Sequence, residues 1–510
     1  MNHWIIAPIV LPAILAPFLV LTARHSIRLQ RVFSIAGAVA LAAIALALTL
    51  AAAEGTPEVY KLGNWPAPFG IVLVLDRLSA LMVLLTGVLS VAVAVYAASS
   101  GWDARGKNFH PLFQFQLMGI CGAFLTGDAF NLFVFFEVLL IASYGLMIHG
   151  GGPMRLRAGV QYVAINLAGS TLFLFALGTL YGVTGTLNMA DMAVKVSALP
   201  PGDAALLRAG GLLLLVVFAI KAALVPIHFW LPGTYANAPA PVAALFAIMT
   251  KIGAYAILRM FTLVFGEDAG ANAWLAADWL LPAALLTLAL GMAGVLGTRS
   301  LLRMIAFSVI GSVGTLLVAL SLFTPAATVA ALYYLIHSTL ATAALFLVAD
   351  LVLERRGAAG DTLRAAPGIA QAGIISALFF TAAIGMTGMP PLSGFVGKLL
   401  VLDSARASGD MALIWSTVLV TSLIAIVGFS RAGSTLFWKA VAVSGPADEE
   451  GSVETPQPQS TAIPAAVAGL LLASMVLLAV LAGPATGYLE ATAAQLYDPS
   501  GSIDAVLGPR

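Results

Sequence analysis

Long apolar runs separated by short polar segments recur along almost the whole chain of 510 residues. Runs of about twenty residues are long enough to cross the ~30 Å hydrocarbon core of a membrane as helices. The pattern therefore predicts an all-α polytopic membrane protein with about fourteen transmembrane helices. The predicted spans are 3–22, 30–53, 77–98, 111–127, 129–149, 157–183, 205–226, 240–262, 279–297, 302–322, 327–352, 368–404, 411–435 and 462–484.

Three polar segments interrupt this pattern. The segment EVYKLGNWPAPFGIVLVL, residues 58–75, alternates and contains turn residues, which predicts a short extramembrane hairpin rather than a helix. The segment VSGPADEEGSVETPQPQS, residues 443–460, is acidic and rich in Pro and Ser, so a flexible cytoplasmic loop is expected. Residues 488–510 are expected to form a short polar tail.

The composition supports the membrane assignment. Hydrophobic residues make up 61% of the chain and charged residues only 9%, whereas soluble domains carry about 25% charged residues. The net charge of +1 gives no indication of nucleic-acid binding. The single cysteine, Cys121, excludes an intramolecular disulfide and a cysteine-based metal cluster. No nucleotide, haem or metal motif is recognisable, so no cofactor is predicted.

The distribution of basic residues predicts the orientation. If the N-terminus lies outside, 14 of the 24 Lys and Arg residues fall in cytoplasmic segments, seven in outer segments and three deep inside apolar runs. Cytoplasmic loops are normally the ones enriched in Lys and Arg. This bias predicts that both termini lie outside, and the first apolar run is expected to be a retained span rather than a signal peptide.

Five titratable residues stand well inside predicted spans: Glu137, Lys221, Lys251, His337 and Lys398. Each isolated charge at the centre of a span costs roughly 2.5–3.5 kcal/mol, so the four charged ones would together cost on the order of 10 kcal/mol. The chain must therefore pair them, hydrate them or keep some of them neutral.

Structural explanations exist for several of these residues. Lys398 can extend its ammonium to a membrane interface, and Glu137 can form a structural ion pair with one lysine. His337 can be a hydrogen-bonded core histidine, and His228 can be either structural or part of a proton path. Asp350, one turn from a charged cluster, is expected at the membrane interface.

The functional hypothesis is a proton relay. Desolvation, or the withdrawal of a nearby anion, makes a lysine release its proton, and the return of the anion restores it. Glu137 near Lys221 would control that amine, and Lys251, His337 and Lys398 are further basic sites on successive spans. Polar side chains and water would connect them. The candidate lining residues are Gln161, Asn166, Ser308, Ser312 and Thr342.

Prolines interrupt two of the spans that carry lysines. Pro226 follows Lys221 by five residues, and Pro390 and Pro391 precede Lys398. A proline removes a helix hydrogen bond and frees carbonyls, which at membrane depth is tolerated only inside protein or beside a wet cavity. The sequences AIKAALVP and AIGMTGMP share Ala-Ile and the proline six residues after Ile.

The two interrupted spans are five apart, which predicts two five-helix repeats of opposite orientation, spans 4–8 and 9–13. The expected organisation is one membrane domain over 1–510. Its parts are the N-terminal spans in 1–110, a first repeat in 111–262, a second in 279–439, and a loop, last span and tail in 440–510.

Three stretches carry a family resemblance: TGDAFNLFVFFEVLLIASYGLM, QYVAINLAGSTLFLFALGTLYGVTGTLNMADMA and IKAALVPIHFWLPGTYANAPAPVAALFAIMTKIGAYAILR. They resemble the D-type subunit of the Mrp-type sodium/proton antiporter family, which is similar to the proton-pumping antiporter-like subunits of respiratory complex I. The resemblance implies a Glu137–Lys221 pair followed by Lys251, His337 and Lys398. It also implies other hydrophobic subunits as partners, a bacterial cell membrane location, and exchange of protons for sodium.

Two other functions remain open at this stage. The chain can be an antiporter-like subunit of a redox-driven complex, of the respiratory complex I or membrane-bound hydrogenase type. It can also be a structural membrane scaffold, but that hypothesis leaves the deep charges and both interrupted spans unexplained.

Overall fold

The computed structural model describes residues 2–200, 204–442 and 461–508, so the predicted loop 443–460 lies outside the described residues. The described part is predominantly helical, with two short strands. The helices in chain order are α1 Ala7–Leu21, α2 Ile27–Glu54, α3 Arg77–Ser99, α4 Phe109–Leu125, α5 Ala129–Met147, α6 Pro153–Thr184, α7 Met189–Ser197, α8 Ala204–Ala222, α9 Trp230–Asn237, α10 Ala240–Leu263, α11 Ala277–Gly297, α12 Leu301–Leu320, α13 Pro325–Arg356, α14 Ala372–Thr387, α15 Ser393–Ser404, α16 Met411–Gly433, α17 Ala462–Val480, α18 Ala482–Tyr497 and α19 Ser500–Leu507.

The prediction of an all-helical membrane protein is confirmed. Among the described residues, twelve helices are long and apolar enough to span a membrane, and α4 and α14 are shorter apolar helices. Together these fourteen helices correspond to the fourteen predicted spans. Several begin at the side-chain caps that favour helix starts. Asp76, Asp128, Ser300 and Thr324 accept a backbone N–H at the starts of α3, α5, α12 and α13.

Two helices form the interior of the bundle. In the apolar stretch of α10, 100% of the residues are buried, and in that of α13 the share is 94%. The corresponding share in α1 and in α17 is only 33%. The two central helices pack against each other, and α13 also contacts α12, α15, α17 and α18. Lys251 on α10 and His337 on α13 therefore face other helices of the chain and not lipid.

Each predicted repeat contains one broken helix. The first repeat comprises α4, α5, α6, the broken pair α8 and α9, and α10; the second comprises α11, α12, α13, the broken pair α14 and α15, and α16. In both repeats the first two helices pack closely, α4 with α5 and α11 with α12. Five helices per repeat give the two halves opposite orientations in the membrane.

The helices end before the prolines rather than at them. The predicted span 205–226 stops at Ala222, and the single predicted span 368–404 is divided into α14 and α15. Each helix is followed directly by a residue with left-handed backbone, Ala223 at φ +56° and Gly388 at φ +79°, as at many helix C-termini. Pro226 and Pro391 come three residues later and do not continue the helix.

The predicted hairpin is confirmed. Strands β1 Glu58–Lys61 and β2 Val72–Leu75 pair antiparallel. The residues predicted as a polar tail, 488–510, are helical over most of their described length, in α18 and α19. Leu489, Ala493 and Leu496 recur at helical spacing and are buried, because α18 packs against α13.

Candidate functional site

Glu137 lies in the middle of α5 and is half-buried. Its carboxylate accepts a hydrogen bond from the hydroxyl of Ser170 on α6. The start of α5 is fixed by Asp128, whose side chain accepts the backbone N–H of Asn131 at 2.7 Å. The acidic group is therefore held against α6 by a neutral donor.

Lys221 lies one residue before the end of α8, with only 8% of its surface exposed. Its Nζ donates to Oδ1 of Asn166 at 2.9 Å and lies 5.6 Å from the centre of the Phe136 ring. A cation at the last turn of a helix is stabilised by the helix dipole. The C-terminal end of α8 and the amide oxygen of Asn166 thus stabilise this ammonium in place of water.

Helix α6 connects Glu137 to Lys221. Asn166 and Ser170 are one turn apart on α6, and they contact Lys221 and Glu137 respectively. Among the described residues, no ion pair within 4.0 Å joins the carboxylate to the ammonium. The pair expected from the sequence is therefore linked through two neutral side chains. A cavity of about 10 Å³ beside Asn166 and Lys221 is comparable to the space that one water needs.

Lys251 is fully buried on α10. Its only hydrogen-bond contact among the described residues is long, 3.5 Å from Nζ to Oγ1 of Thr250, and no carboxylate lies within 4.0 Å. Gly253 brings α10 against the end of α8, since a Cβ there would lie 2.6 Å from the backbone N of Ala222. This close approach packs α10, the helix that carries the second lysine, against the end of α8.

His337 is fully buried on α13. Its Nδ1 lies 2.9 Å from Oγ of Ser393, the first residue of α15. The histidine therefore contacts the start of the second half of the broken helix, and its ring also lies 5.7 Å from the ring of Tyr334. The hydroxyl of Ser393, on the helix that carries Lys398, is therefore within hydrogen-bond distance of His337.

Lys398 is 7% exposed, and its ammonium is held inside the chain. Nζ donates to the carbonyl of Thr387, the last residue of α14, at 2.8 Å and to Oγ of Ser422 at 2.7 Å. Gly388, at φ +79°, leaves room for the lysine stem, because a Cβ there would lie 2.6 Å from Cδ of Lys398. The geometry does not fit a side chain extended to an interface.

The two broken helices present their lysines in a related way. Lys221 belongs to the last turn of α8, whereas Lys398 reaches back across the break to the last carbonyl of α14. The positions differ in sequence, but both ammonium groups lie at the negative end of a helix dipole.

The candidate lining residues divide into two groups. Asn166 contacts Lys221, and Ser308, Ser312 and Thr342 are fully buried. Gln161 is exposed on α6, outside the buried set, and His228 is half-buried in the segment between α8 and α9.

Several buried polar atoms in the described helices around the basic groups lack a hydrogen-bond partner. Within the described part of the chain, Oε1 of Gln116, Oγ of Ser312 and Oγ1 of Thr342 have no hydrogen-bond partner. They lie on the central helix α13 and on α4 and α12, which both contact α10. Buried polar atoms of this kind are normally satisfied by internal water.

Sequence reasoning missed several contacts of the site, among them Gln116, Ser170, Ser393 and Ser422. A polar residue inside an apolar run is the signal for Gln116, in LFQFQLMG, and for Ser170, in NLAGSTLF. Asp350, which the sequence predicted at the membrane interface, lies near the C-terminal end of α13 and is 5% exposed.

Comparison with known proteins places this arrangement in a family. The sequence model described as NADH:quinone oxidoreductase/Mrp antiporter, TM, matches residues 126–425. The chain is 39% identical over 540 residues to the D-type subunit of a probable K⁺/H⁺ antiporter of Rhizobium meliloti, covering 99% of this chain and 98% of that protein. It is 37% identical over 524 residues to the D-type subunit of the Na⁺/H⁺ antiporter of Bacillus subtilis, covering 99% and 100%.

The chain belongs to the family of D-type subunits of Mrp-type antiporters. The members of this family named above are antiporter subunits, which are transporters and not enzymes. The chain is a membrane protein, and its relatives are subunits of multisubunit membrane complexes.

Solved structures support the same fold. A chain of the Mrp complex from Dietzia sp. superposes with a TM-score of 0.87 at 28% identity, covering 100% of both chains. A chain of an archaeal respiratory membrane complex, the membrane-bound sulfane sulfur reductase, gives a TM-score of 0.88 at 26% identity, covering 99% of both chains. A chain of Thermus thermophilus respiratory complex I, at 23% identity and a TM-score of 0.76, shows the shared fold alone.

Proposed function

We propose that this chain is the proton-translocating subunit of a multisubunit antiporter that exchanges protons for sodium or another monovalent cation. The observation that carries the proposal is the series of buried basic groups on packed helices. Lys221, Lys251, His337 and Lys398 are each nine-tenths or more buried, and Glu137 adjoins the first of them through α6.

The relay would begin at Glu137 and Lys221, which helix α6 connects. Lys221 has a neutral partner, Asn166, so its proton is held without a contact carboxylate. A rearrangement that brings Glu137 toward the amine would stabilise the charged lysine, and its withdrawal would favour release of the proton. Lys251 would be the next basic group of the relay, because it lies on α10, which packs against α8.

The second half of the relay would pass from Lys251 to His337 and Lys398. Helices α10 and α13 pack against each other, and Ser393 joins His337 to the half-helix of Lys398. Water near Ser312 and Thr342 would supply the missing hydrogen bonds between these groups.

The broken helices make this transfer compatible with the membrane interior. The carbonyl of Ile220, which accepts the N–H of Ala223 at 3.1 Å, also accepts from Nε1 of Trp230 at 3.1 Å. The N–H of Val225 donates to Oγ1 of Thr287 at 2.9 Å. Irregular backbone at membrane depth is tolerated when protein groups satisfy it in this way.

A second membrane protein of the complex would complete the site at α5. Phe130, Val134, Ile141 and Ile148 form an exposed apolar stripe, and Glu137 lies half-buried within it. A carboxylate facing hydrocarbon is costly. We infer that another membrane subunit of the antiporter covers this stripe.

The test is cation-dependent proton exchange in everted vesicles that contain the whole complex. Glu137→Ala and Lys221→Ala should assemble normally and lose exchange, with both Na⁺ and K⁺ assayed. Full exchange by either variant, at normal assembly, would remove the relay role of the pair.

A redox-driven proton pump is the second candidate, supported by the similarity to the sulfane sulfur reductase chain. The two candidates differ in their energy source. Exchange driven by an imposed pH gradient without an electron donor supports the antiporter. Proton movement that appears only when a donor is oxidised supports the redox-driven complex.

A further inference from the structure

A second cavity contains a buried acidic group that the relay described above does not use. The cavity, of about 290 Å³, lies between the segment before α6, the segment joining α9 to α10, and the C-terminal half of α13. Trp102, Arg155, Asn237, Phe346 and Asp350 are among the residues that line it. In the orientation predicted from the basic residues, this end of the bundle is cytoplasmic.

Asp350 is held in the wall of this cavity by hydrogen bonds from two neutral side chains. One carboxylate oxygen, Oδ2, accepts from the hydroxyl of Tyr96 at 2.9 Å and from Nε1 of Trp102 at 2.8 Å. Among the described residues, no basic side chain lies within 4.0 Å of this carboxylate. The other oxygen, Oδ1, therefore carries neither a salt bridge nor either of these two hydrogen bonds.

The neighbouring charges are engaged elsewhere. Arg155 donates to the carbonyls of Asn237 at 2.7 Å and His149 at 2.8 Å. Glu354 lies 3.8 Å from Arg105 and 3.7 Å from Arg355. Tyr96, Arg105, Arg155, Glu354 and Arg355 are the titratable and charged groups around Asp350. None of them neutralises it through a contact ion pair.

One face of α13 leads from this carboxylate toward the relay. Asp350, Phe346 and Thr342 are spaced four residues apart and so share a face. Eight residues of helix separate Asp350 from Thr342 by about 12 Å. Phe346, midway between them on this face, lines the cavity. In the described part of the chain, Oγ1 of Thr342 is a buried atom without a hydrogen-bond partner.

We propose that Asp350 exchanges protons between this cavity and the buried basic groups of the relay, Lys251 and His337. This inference rests on the proposed function. A hydronium ion in the cavity would transfer its proton to the carboxylate, forming an O–H bond and leaving water. Release of that proton to water on the Thr342 side would restore the carboxylate, so no other reactant is needed.

A structural role for Asp350 can be separated from proton transfer. In Asp350→Asn the amide oxygen still accepts both hydrogen bonds from Tyr96 and Trp102, but the side chain no longer takes up a proton. Asp350→Glu retains a titratable carboxyl. Glu354→Gln is the matched control, because it removes a carboxylate one turn away on the same helix.

The experiment measures cation-dependent proton exchange and assembly of the whole complex in everted vesicles. We expect Asp350→Asn to assemble normally and lose about a hundredfold in exchange rate, the loss typical of a removed proton-transfer group. Asp350→Glu should recover part of the rate, and Glu354→Gln should resemble the parent.

Exchange by Asp350→Asn at the parent rate would overturn the inference and leave the proposed function intact. An equal loss in Glu354→Gln, or failure of Asp350→Asn to assemble, would also overturn it, by assigning the effect to local charge or to folding. Absence of exchange in the parent complex would instead reject the proposed function.

Discussion

The ammonium of Lys398 donates a 2.8 Å hydrogen bond to the carbonyl of Thr387 across the break between α14 and α15. A lysine on one half-helix therefore caps the C-terminal end of the other, where the helix dipole favours a cation. Lys221 occupies the corresponding end of α8 directly. In both repeats, a lysine ammonium therefore lies at the C-terminal end of the first half of the broken helix.

Lys398→Leu should abolish exchange, because leucine fills much of the same volume without an ammonium. The measurement is proton exchange in everted vesicles, normalised to the amount of assembled complex. Lys195→Leu is the control, since Lys195 lies on α7 with 43% of its side chain exposed and pairs with Asp191. Retention of exchange by Lys398→Leu would show that the charge is dispensable.

Asn166→Asp should trap the proton on Lys221. The substitution is nearly isosteric and places a carboxylate where the amide oxygen now accepts from Nζ at 2.9 Å. We expect exchange to fall by roughly tenfold or more at normal assembly, because an anion in contact holds the lysine in its charged form. Unchanged exchange would show that Lys221 does not cycle its proton.

Gly253→Ala should destabilise the contact of α10 with the end of α8. The added Cβ would lie 2.6 Å from the backbone N of Ala222, which cannot move as a side chain does. Overpacking of this kind costs typically about 1–3 kcal/mol. Thermal denaturation of the purified complex measures it, and Gly182→Ala on α6, where no atom lies within 4 Å of the new Cβ, is the control. Equal melting temperatures for the two variants would contradict the close approach.

Asp103 should make the stability of the N-terminal helices depend on acid pH. It lies between α3 and α4, where burial raises the pKa of its carboxyl, but hydrogen bonds from His110 and Arg31 outweigh this and the pKa falls below its ordinary value. Arg31 binds it through two contacts of 2.6 and 2.8 Å. A lowered pKa stabilises the folded state above the unfolded value, about 3.9, and this contribution is lost as the pH falls through the folded value.

Asp103→Asn should therefore lower stability at neutral pH by on the order of 1 kcal/mol, since Arg31 is partly exposed. The variant should lose less additional stability than the parent when the pH is reduced from about 6 to about 3. Parallel pH profiles of the melting temperature for parent and variant would contradict this role.

The membrane architecture was predictable because it depends on local sequence. Apolar length alone indicated the fourteen spans, and prolines indicated both breaks, although α8 ends four residues earlier than predicted, before Ala223 at φ +56°. The hairpin of β1 and β2 followed from alternation and turn residues.

The contacts of the site were not predictable because they depend on tertiary packing. Asp350 stands beside charged residues in sequence, but Tyr96 and Trp102, about 250 residues away, bury it. The insertion of Asn166 and Ser170 between Glu137 and Lys221 depends on the rotation of α6, which an isolated helix pattern does not specify.

The central claim is that buried amines of this chain bind and release protons during exchange. Lys251→Arg tests it most directly, because Lys251 is fully buried and arginine keeps a positive charge but does not release its proton in proteins. The measurement is cation-dependent proton exchange by the assembled complex in everted vesicles. We predict normal assembly with no exchange; exchange at the parent rate would contradict the claim.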